Sequence, residues 1–526
     1  MTKEAKESSR EKDIERDELS IEEHLPIGWA AGSLEELAKV TMGNSPPSTT
    51  YNEKMKGLPL INGPVEFSDG QLGRTHITKF TSAPTRVCEE GDFLLCVRGS
   101  TTGRSNIAAF DACIGRGVAA IQAYEYQPYV NHFVAAKRES LYSKGTGSTF
   151  PNISQKQINA IEIKVPPLCE QTRIVTAIES LQQRSARARA LLTEVDPLLA
   201  NLRQSILQAA FSGRLTADWR AKNPDVEPAD QLLARIRTER RQRWETDQLA
   251  NFEAKGKKPP KNWEDKYKEP QPVDDTALPE LPEGWCWTNM EELSYWSMYG
   301  PRFSSDAYDS FGARVLRTTD FSDDGTVDLD TPPQIPLDEE TLEKYKVNKG
   351  DILITRTGSL GTLAVFPGGA DSIAGAFLIH YKLMTTAELC WWVFHFLKGP
   401  AGQDGLIGGG AGTGRPNLNM PRINSISIPF APISEQKQIL TKLEESFSAL
   451  ILLENGVQNS ISFLSQLDQS ILSKAFKGEL VPQDPNDEPA SELLARIRAA
   501  REKETAEKKA TKKKKSKKKA AQKRKS

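Results

Sequence analysis

In this chain of 526 residues, the side chains best suited to chemistry sit in paired glycine-rich loops. Arg98-Gly99-Ser100-Thr101-Thr102-Gly103-Arg104 follows an apolar run, and so does Arg356-Thr357-Gly358-Ser359-Leu360-Gly361. A second pair has the same character: Lys144-Gly145-Thr146-Gly147-Ser148 and Gly412-Thr413-Gly414-Arg415-Pro416-Asn417. Arginine, lysine and asparagine offer donor patterns that match base edges. Backbone N–H groups and hydroxyls on such loops suit phosphate oxygens. The chemistry open to these residues is recognition of nucleic acid by contact. The candidates are Arg98, Ser100, Thr101, Thr102, Arg104, Lys144, Thr146, Ser148, Arg356, Thr357, Ser359, Thr413, Arg415 and Asn417. An equally available reading is that these loops are turns the fold requires.

Bond-making chemistry has no comparable footing. An adenine-methylating centre needs Asn-Pro-Pro-aromatic, and the nearest approach, Asn44-Ser45-Pro46-Pro47, breaks that pattern twice. The glycine-rich stretch 405–414 runs into Arg415-Pro416 without the Gly-Lys-Ser/Thr of a phosphate-binding loop, and reads as a mobile turn. The five histidines have no metal-ligand spacing, and the six cysteines no Cys-x-x-Cys. These cysteines read as structural thiols in a reducing, cytoplasmic setting. No apolar run reaches the ~18 residues of a membrane span, and the charged N-terminus lacks the apolar segment of a signal peptide. No metal and no cofactor is expected on this chain.

Charge limits how nucleic acid could be held. The formal net charge is −1, yet 508–526 carries twelve Lys/Arg and no acid, leaving the rest of the chain near −13. Such a body cannot wrap DNA over a large area, because neutralising phosphates takes clustered cations. It needs local basic loops or partners. The lysine tail reads as a solvated, disordered extension with non-specific attraction for DNA.

The elements that position the loops are duplicated. Leu25-Pro26-Ile27-Gly28-Trp29 returns as Leu281-Pro282-Glu283-Gly284-Trp285, and the run 90–100 returns at 349–359. Glu170-Gln171 returns as Glu435-Gln436, and Leu232-Leu233-Ala234-Arg235-Ile236-Arg237 returns letter for letter at 493–498. The separations are 256, 259, 265 and 261 positions, so insertions fall inside the modules and after each helix. Base-specific residues belong where two copies of a reader diverge, as at 44–51 and 302–308, which adds Arg302 to the candidates.

Each copy opens with short strands broken by Gly, Pro and Asn, such as 93–97 and 352–356, and closes on a strand that runs into proline. A long helix follows. Ile174, Ile178, Leu181, Leu192, Val195, Leu199, Leu202 and Ile206 lie at spacings of three, four or sums of alternating threes and fours. So do Ile439, Leu443, Leu450, Leu453, Val457, Leu464, Leu467 and Ile471. A sustained seven-residue repeat is a coiled-coil seam, and the two helices are expected to pair antiparallel. Pro197 should kink the first, since it lacks an N–H and clashes with the preceding turn. About 40 residues would make a rod of about 60 Å.

The expected fold is therefore α/β: two mixed, strand-rich modules, two long helices forming an antiparallel coiled coil, and a pseudo-two-fold repeat. Its parts are a charged extension (1–24), a first module (25–167), a first spacer helix (168–213), a short helix and weakly ordered linker (214–280), a second module (281–432), a second spacer helix (433–478), and a short helix with a Lys-rich tail (479–526).

The lead-in Leu-Pro-x-Gly-Trp, the junction Pro166-Pro167-Leu168-Cys169-Glu170-Gln171 and the exit Gly213-Arg214-Leu215-Thr216-Ala217-Asp218-Trp219-Arg220 resemble the specificity subunit of type I restriction-modification enzymes. The resemblance runs from about Leu25 to the C-terminus. The second copy departs from it slightly, with Pro432-Ile433-Ser434-Glu435-Gln436 and Gly478-Glu479-Leu480-Val481-Pro482. The resemblance implies a noncatalytic subunit whose two target-recognition domains each read half of a split site on double-stranded DNA. It implies two methyltransferase subunits and restriction/translocase subunits as partners, which use S-adenosylmethionine, ATP and magnesium, and no membrane. The competing expectation is a coiled-coil scaffold that joins proteins without reading DNA.

Overall fold

A computed structural model describes residues 25–143, 152–322, 324–384, 387–408 and 418–523, with side chains through 507 apart from that of residue 387. The described chain divides into two compact units. One holds the residues up to Leu192 and from Ser460 onward; the other is Thr193–Asn459. Each unit therefore contains one module, the start of the spacer helix that follows it, and the end of the spacer helix from the other copy.

The first module is built on a four-stranded antiparallel sheet in the order Ala38–Met42, Val118–Ala123, Phe93–Cys96, Ser105–Ile107. The second repeats it with Ser294–Tyr299, Leu378–Leu383, Ile352–Thr355 and Leu363–Val365. Four consecutive buried residues, Phe93 to Cys96 and Ile352 to Thr355, make the strand beneath each loop core on both faces. A smaller sheet in each module contains a parallel pair, Leu58–Ile61 with Ala112–Ile114 and Ala313–Leu316 with Ser372–Ala374. A two-stranded ribbon closes each module, Ala30–Ser33 on Glu162–Val165 and Cys286–Asn289 on Ser427–Phe430. The expected mixed, strand-rich repeat is what the chain adopts. The modules also contain helices that periodicity did not announce, among them Gln127–Ala136 and Ala387–Lys398.

The spacer helices are Leu168–Thr193 continued by Val195–Phe211, and the unbroken Ile433–Lys477. The break at Glu194 lies three residues before Pro197, which has no N–H to offer the Thr193 carbonyl one turn earlier. Within each unit the helices run antiparallel. Arg189 Nη2 meets Asp468 Oδ2 at 3.0 Å in one unit, and Arg203 Nη2 meets Glu454 Oε1 at 3.4 Å in the other.

The seam differs from the expected one at three places. Leu202, Leu453 and Leu467 are exposed. From Leu450 to Ile471 of the second helix the buried or half-buried positions are Leu450, Glu454, Val457, Ile461, Leu464, Asp468 and Ile471. One row of the heptad is therefore shifted by a residue, from 453 to 454 and from 467 to 468. Apolar letters favour the expected row; the ion pairs with Arg203 and Arg189 turn the acidic row inward. Ile174, Ile178, Leu199, Ile439, Leu443, Leu450, Val457 and Ile471 are buried as expected, while Leu181, Leu192, Val195, Ile206 and Leu464 are half-buried.

After each spacer helix a further helix packs on the module of the other copy: Ala229–Ala254 and Ala490–Lys523. Leu233 and Ile236 enter the core of the second module; Leu493, Leu494 and Ile497 enter that of the first. The backbone is helical through Lys523, where the lysine tail was expected to be disordered. The stretch after Ala254 is likewise ordered, contrary to its Lys/Pro/Asp composition. Trp263 stacks on Trp244 at 5.8 Å, Tyr267 lies 5.3 Å from Trp244, and Phe252 meets Trp263 edge-on. Aromatic area buried on a neighbouring helix fixes a linker that has no core of its own.

Candidate nucleic-acid interface

A buried carboxylate at the base of each module sets the frame on which the loops stand. In the second module, Glu435 Oε1 accepts from Thr216 Oγ1 at 2.7 Å and from Arg220 Nη2 at 2.7 Å, and its Oε2 accepts from Trp285 Nε1 at 2.8 Å. In the first, Glu170 accepts from Trp29 Nε1 at 3.0 Å and from Gln483 Nε2 at 3.2 Å. Tryptophan and glutamate thus explain two of the repeated motifs, and the exit of the other copy's spacer helix supplies the third partner.

The glycines of those motifs have a reason as well. Gly213 and Gly478 end the spacer helices with φ of 71° and 78°, the left-handed turn that favours glycine. A Cβ there would lie 2.4 Å from Pro282 Cγ and 2.4 Å from Pro26 Cγ respectively. The Gly28 and Gly284 carbonyls accept the Ala490 and Ala229 N–H, each at 2.8 Å, so the lead-in turn caps the exit helix. The last arginine of the repeated Leu-Leu-Ala-Arg-Ile-Arg binds the module: Arg237 Nε to Glu292 Oε1 at 2.9 Å, Arg498 Nε to Glu36 Oε1 at 3.1 Å. Burial opposes the charge on Glu36, but Arg498 and the Ser33 N–H outweigh it and hold the carboxyl below its usual value.

The candidate loops stand at the ends of the central strands. In the first, Gly103 N–H donates to Cys96 O and Cys96 N–H to Arg104 O, both at 2.8 Å, which makes the loop a tight hairpin. Thr102 is buried and bonds back to Gly99 O at 2.8 Å, and Arg104 Nη2 donates inward to Ser68 O at 3.4 Å. Thr101 is half-buried; Arg98 and Ser100 are exposed. The turn reading therefore accounts for Thr102 and Arg104, and leaves Arg98 and Ser100 facing solvent.

The second loop turns through Gly358 and Gly361, with φ of 85° and 76°. Thr357 is half-buried and Ser359 exposed, and Thr355 Oγ1 donates to Ser359 O. The Arg356 guanidinium lies 4.5 Å over the Tyr299 ring. Its Nε is buried without a hydrogen-bond partner. Arg302 is exposed in the 302–308 segment. Lys144, Thr146, Ser148, Thr413, Arg415 and Asn417 lie outside the described residues. So does most of the 405–414 stretch, whose first residues instead complete the helix Pro400–Ile407.

Beneath the second loop, His380 Nε2 lies 2.7 Å from Asp351 Oδ2, edge-on to Trp296 and beside Lys382. Burial outweighs the attraction of Asp351 and keeps the imidazole below its usual pKa. Among the described residues no group of three or more His, Cys, Asp or Glu is placed to hold a metal ion, and no helix is long and apolar enough to cross a membrane.

The family model for the type I restriction modification DNA specificity domain matches residues 26–195 and 304–462. The chain belongs to this family. Several relatives align over about nine tenths of the chain. It is 24% identical over 492 residues to the type I restriction enzyme EcoBI specificity subunit of Escherichia coli, covering 90% of this chain and 92% of that one. It is 24% identical over 510 residues to the EcoKI specificity subunit of Escherichia coli strain K12, covering 91% and 96%. The putative MjaX specificity subunit of Methanocaldococcus jannaschii is 32% identical over 162 residues, 30% of this chain and 37% of that one. The fold is shared with the HsdS subunit from Thermoanaerobacter tengcongensis, at TM-score 0.51 and 18% identity over 87% of this chain and 99% of that one. A chain from a structure on complex assembly and conformational transition of the type I R-M system aligns at TM-score 0.58 and 18% identity, with the same coverage. The family places this chain among subunits that confer DNA specificity.

The central strands, the lead-in motif and the helix exits were all legible in the sequence. The Arg356–Tyr299 pair was not singled out. The signal was there: the duplicated run aligns Arg356 with Val97, an arginine where the other copy has a core valine.

Proposed function

We propose that the chain is the noncatalytic specificity subunit of a type I restriction-modification complex, in which each module reads one half of a bipartite site on double-stranded DNA. The observation that carries this reading is the contrast between frame and loops. Two modules have the same sheet, the same tryptophan–carboxylate clamp and the same helix exits, yet differ at 44–51 against 302–308 and at 98–104 against 357–361. Equal frames with unequal tips suit two readers of different sequences. The spacer helices set the number of unread bases between the halves. Two methyltransferase subunits and restriction/translocase subunits dock around them and supply the cations that this acidic body lacks. S-adenosylmethionine, ATP and magnesium serve those partners, and the complex works in the cytoplasm.

Co-expression with candidate methyltransferase subunits, followed by mapping of N6-methyladenine across the host genome, tests the reading. The expected result is one two-part methylated motif that vanishes when this chain is omitted. Methylation independent of the chain would overturn it. Inserting one heptad into both spacer helices is expected to lengthen the gap and leave both half-motifs intact; an unchanged gap would reject the spacer role.

A further inference from the structure

The two modules differ in one buried detail at the end of the central strand. Val97 N–H donates to Gly117 O at 2.9 Å, and its carbonyl accepts from Ile153 N–H at 2.9 Å. Arg356 makes the same two bonds, to Phe377 O at 2.8 Å and from Leu418 N–H at 3.0 Å. The neighbouring strands agree: Met42 faces Ala119 as Tyr299 faces Ile379. The pair Val97/Met42 of the first module is thus replaced by Arg356/Tyr299 in the second. Val97 is fully buried. Arg356 is half-buried, with its guanidinium over the Tyr299 ring.

The guanidinium makes no hydrogen bond or ion pair among the described residues, and its Nε is shut off from solvent. A buried charged donor without an acceptor is costly to the free protein. Stacking on tyrosine offsets part of that cost, and it also fixes the plane of the fork. A phosphate asks only for positive charge within reach. A planar fork with its orientation set in advance suits a partner that accepts two parallel bonds. Guanine offers that pair through O6 and N7 on the major-groove edge.

We infer that Arg356, held by Tyr299, reads a guanine in the half-site bound by the second module, and that the first module has no counterpart at the equivalent place. This rests on the DNA-reading function proposed above. Tyr299 is a positioning residue: its hydroxyl accepts the Met420 N–H at 3.2 Å, which ties the ring to the segment after the loop.

The test is methylation mapping of the co-expressed complex with Arg356→Gln, Arg356→Val, Tyr299→Phe and Tyr299→Leu. Arg356→Gln and Arg356→Val are expected to relax one G·C position in one half-motif by roughly ten- to a hundredfold, the range of a good bidentate contact, with the other half unchanged. Tyr299→Phe keeps the ring under Arg356 and loses only its tie to Met420, so it keeps most of the selectivity, whereas Tyr299→Leu removes the ring and loosens the same position more, though less than the Arg356 variants do. Co-purification with the methyltransferase subunits reports folding separately. An assembled variant complex whose motif is unchanged, whose methylation falls equally at all sites with a shallower salt dependence, or which methylates nothing overturns the inference, the second of these marking a phosphate contact. Absence of any two-part motif in the wild-type complex would instead defeat the functional reading itself.

Discussion

The clamps at Glu170 and Glu435 occupy the same place in the two modules and solve the same problem differently. Both carboxylates are buried and both accept a tryptophan N–H. Glu435 has a cation: Arg220 donates to it from Nε and Nη2 while also donating to Gly213 O at 2.7 Å. Glu170 has Gln483 instead, and the nearby Arg173 is turned to Asp487 at 2.7 Å. Burial therefore raises the Glu170 carboxyl above its usual pKa, despite the hydrogen bonds from Gln483 and Trp29 and the charge of Arg173. The same architecture can be locked by an ion pair or by a carboxyl whose hydrogen-bond donors are uncharged. The choice decides how each unit answers to mutation and pH, not which fold it takes.

The largest effect is expected at Glu435. Glu435→Ala leaves Arg220, Thr216 and Trp285 without their acceptor, at a cost of about 3 kcal/mol, the low end for a broken buried pair because Arg220 stays 21% exposed. Glu170→Ala strands only neutral donors and should cost about 1–3 kcal/mol. Calorimetry of the full chain checks both, each substitution lowering the transition of its own unit. Equal losses would remove the distinction between the clamps.

Gly213→Ala and Gly478→Ala come next, at about 1–3 kcal/mol each. Here the two units should match, since the positive φ and the 2.4 Å approach to proline are common to both. Unequal shifts in the same calorimetric experiment would show that the helix exits are not equivalent.

The pH response sharpens the contrast further. A carboxyl whose folded pKa is raised contributes stability that is complete below the unfolded value of 4.5 and is lost as pH rises through the folded value. Glu170→Gln abolishes that loss, so its first-unit melting temperature should gain on wild type as pH climbs above 4.5. A gain that shrinks with pH would mean that the Glu170 carboxylate is stabilised rather than penalised. The smallest effects belong to the helix pairs. Arg189→Ala and Arg203→Ala remove partly exposed ion pairs and should cost about 0.2–1 kcal/mol each by chemical denaturation.

Sequence reading succeeded where information is local or repeated. The buried strands Phe93–Cys96 and Ile352–Thr355, the spacer helices and their glycine stops follow from apolar runs, periodicity and copying. It failed where structure depends on distant partners. Trp29 meets Glu170 across 141 positions and Gln483 meets it across 313, so no spacing rule could assemble the clamp. The helix Ala387–Lys398 is hard to read because its outward face, at 388, 391, 395 and 398, carries Trp391 beside Glu388, His395 and Lys398, so the apolar letters run on where the period should break. The seam slipped at Leu453 and Leu467 because Glu454 and Asp468 turn inward to arginines on the facing helix. Of the site, the loops were legible as turns with cations, whereas burial distinguished the inward Thr102 from the exposed Arg98.

Two frames locked separately and carrying different tips support the proposal that each module reads its own half-site. The most direct measurement replaces residues 25–167 with the first module of another specificity subunit, keeping a tryptophan at position 29 to meet Glu170, and maps N6-methyladenine in the co-expressed complex. One half of the motif is expected to change while the other half and the gap persist. A motif altered in both halves, or in neither, would contradict it.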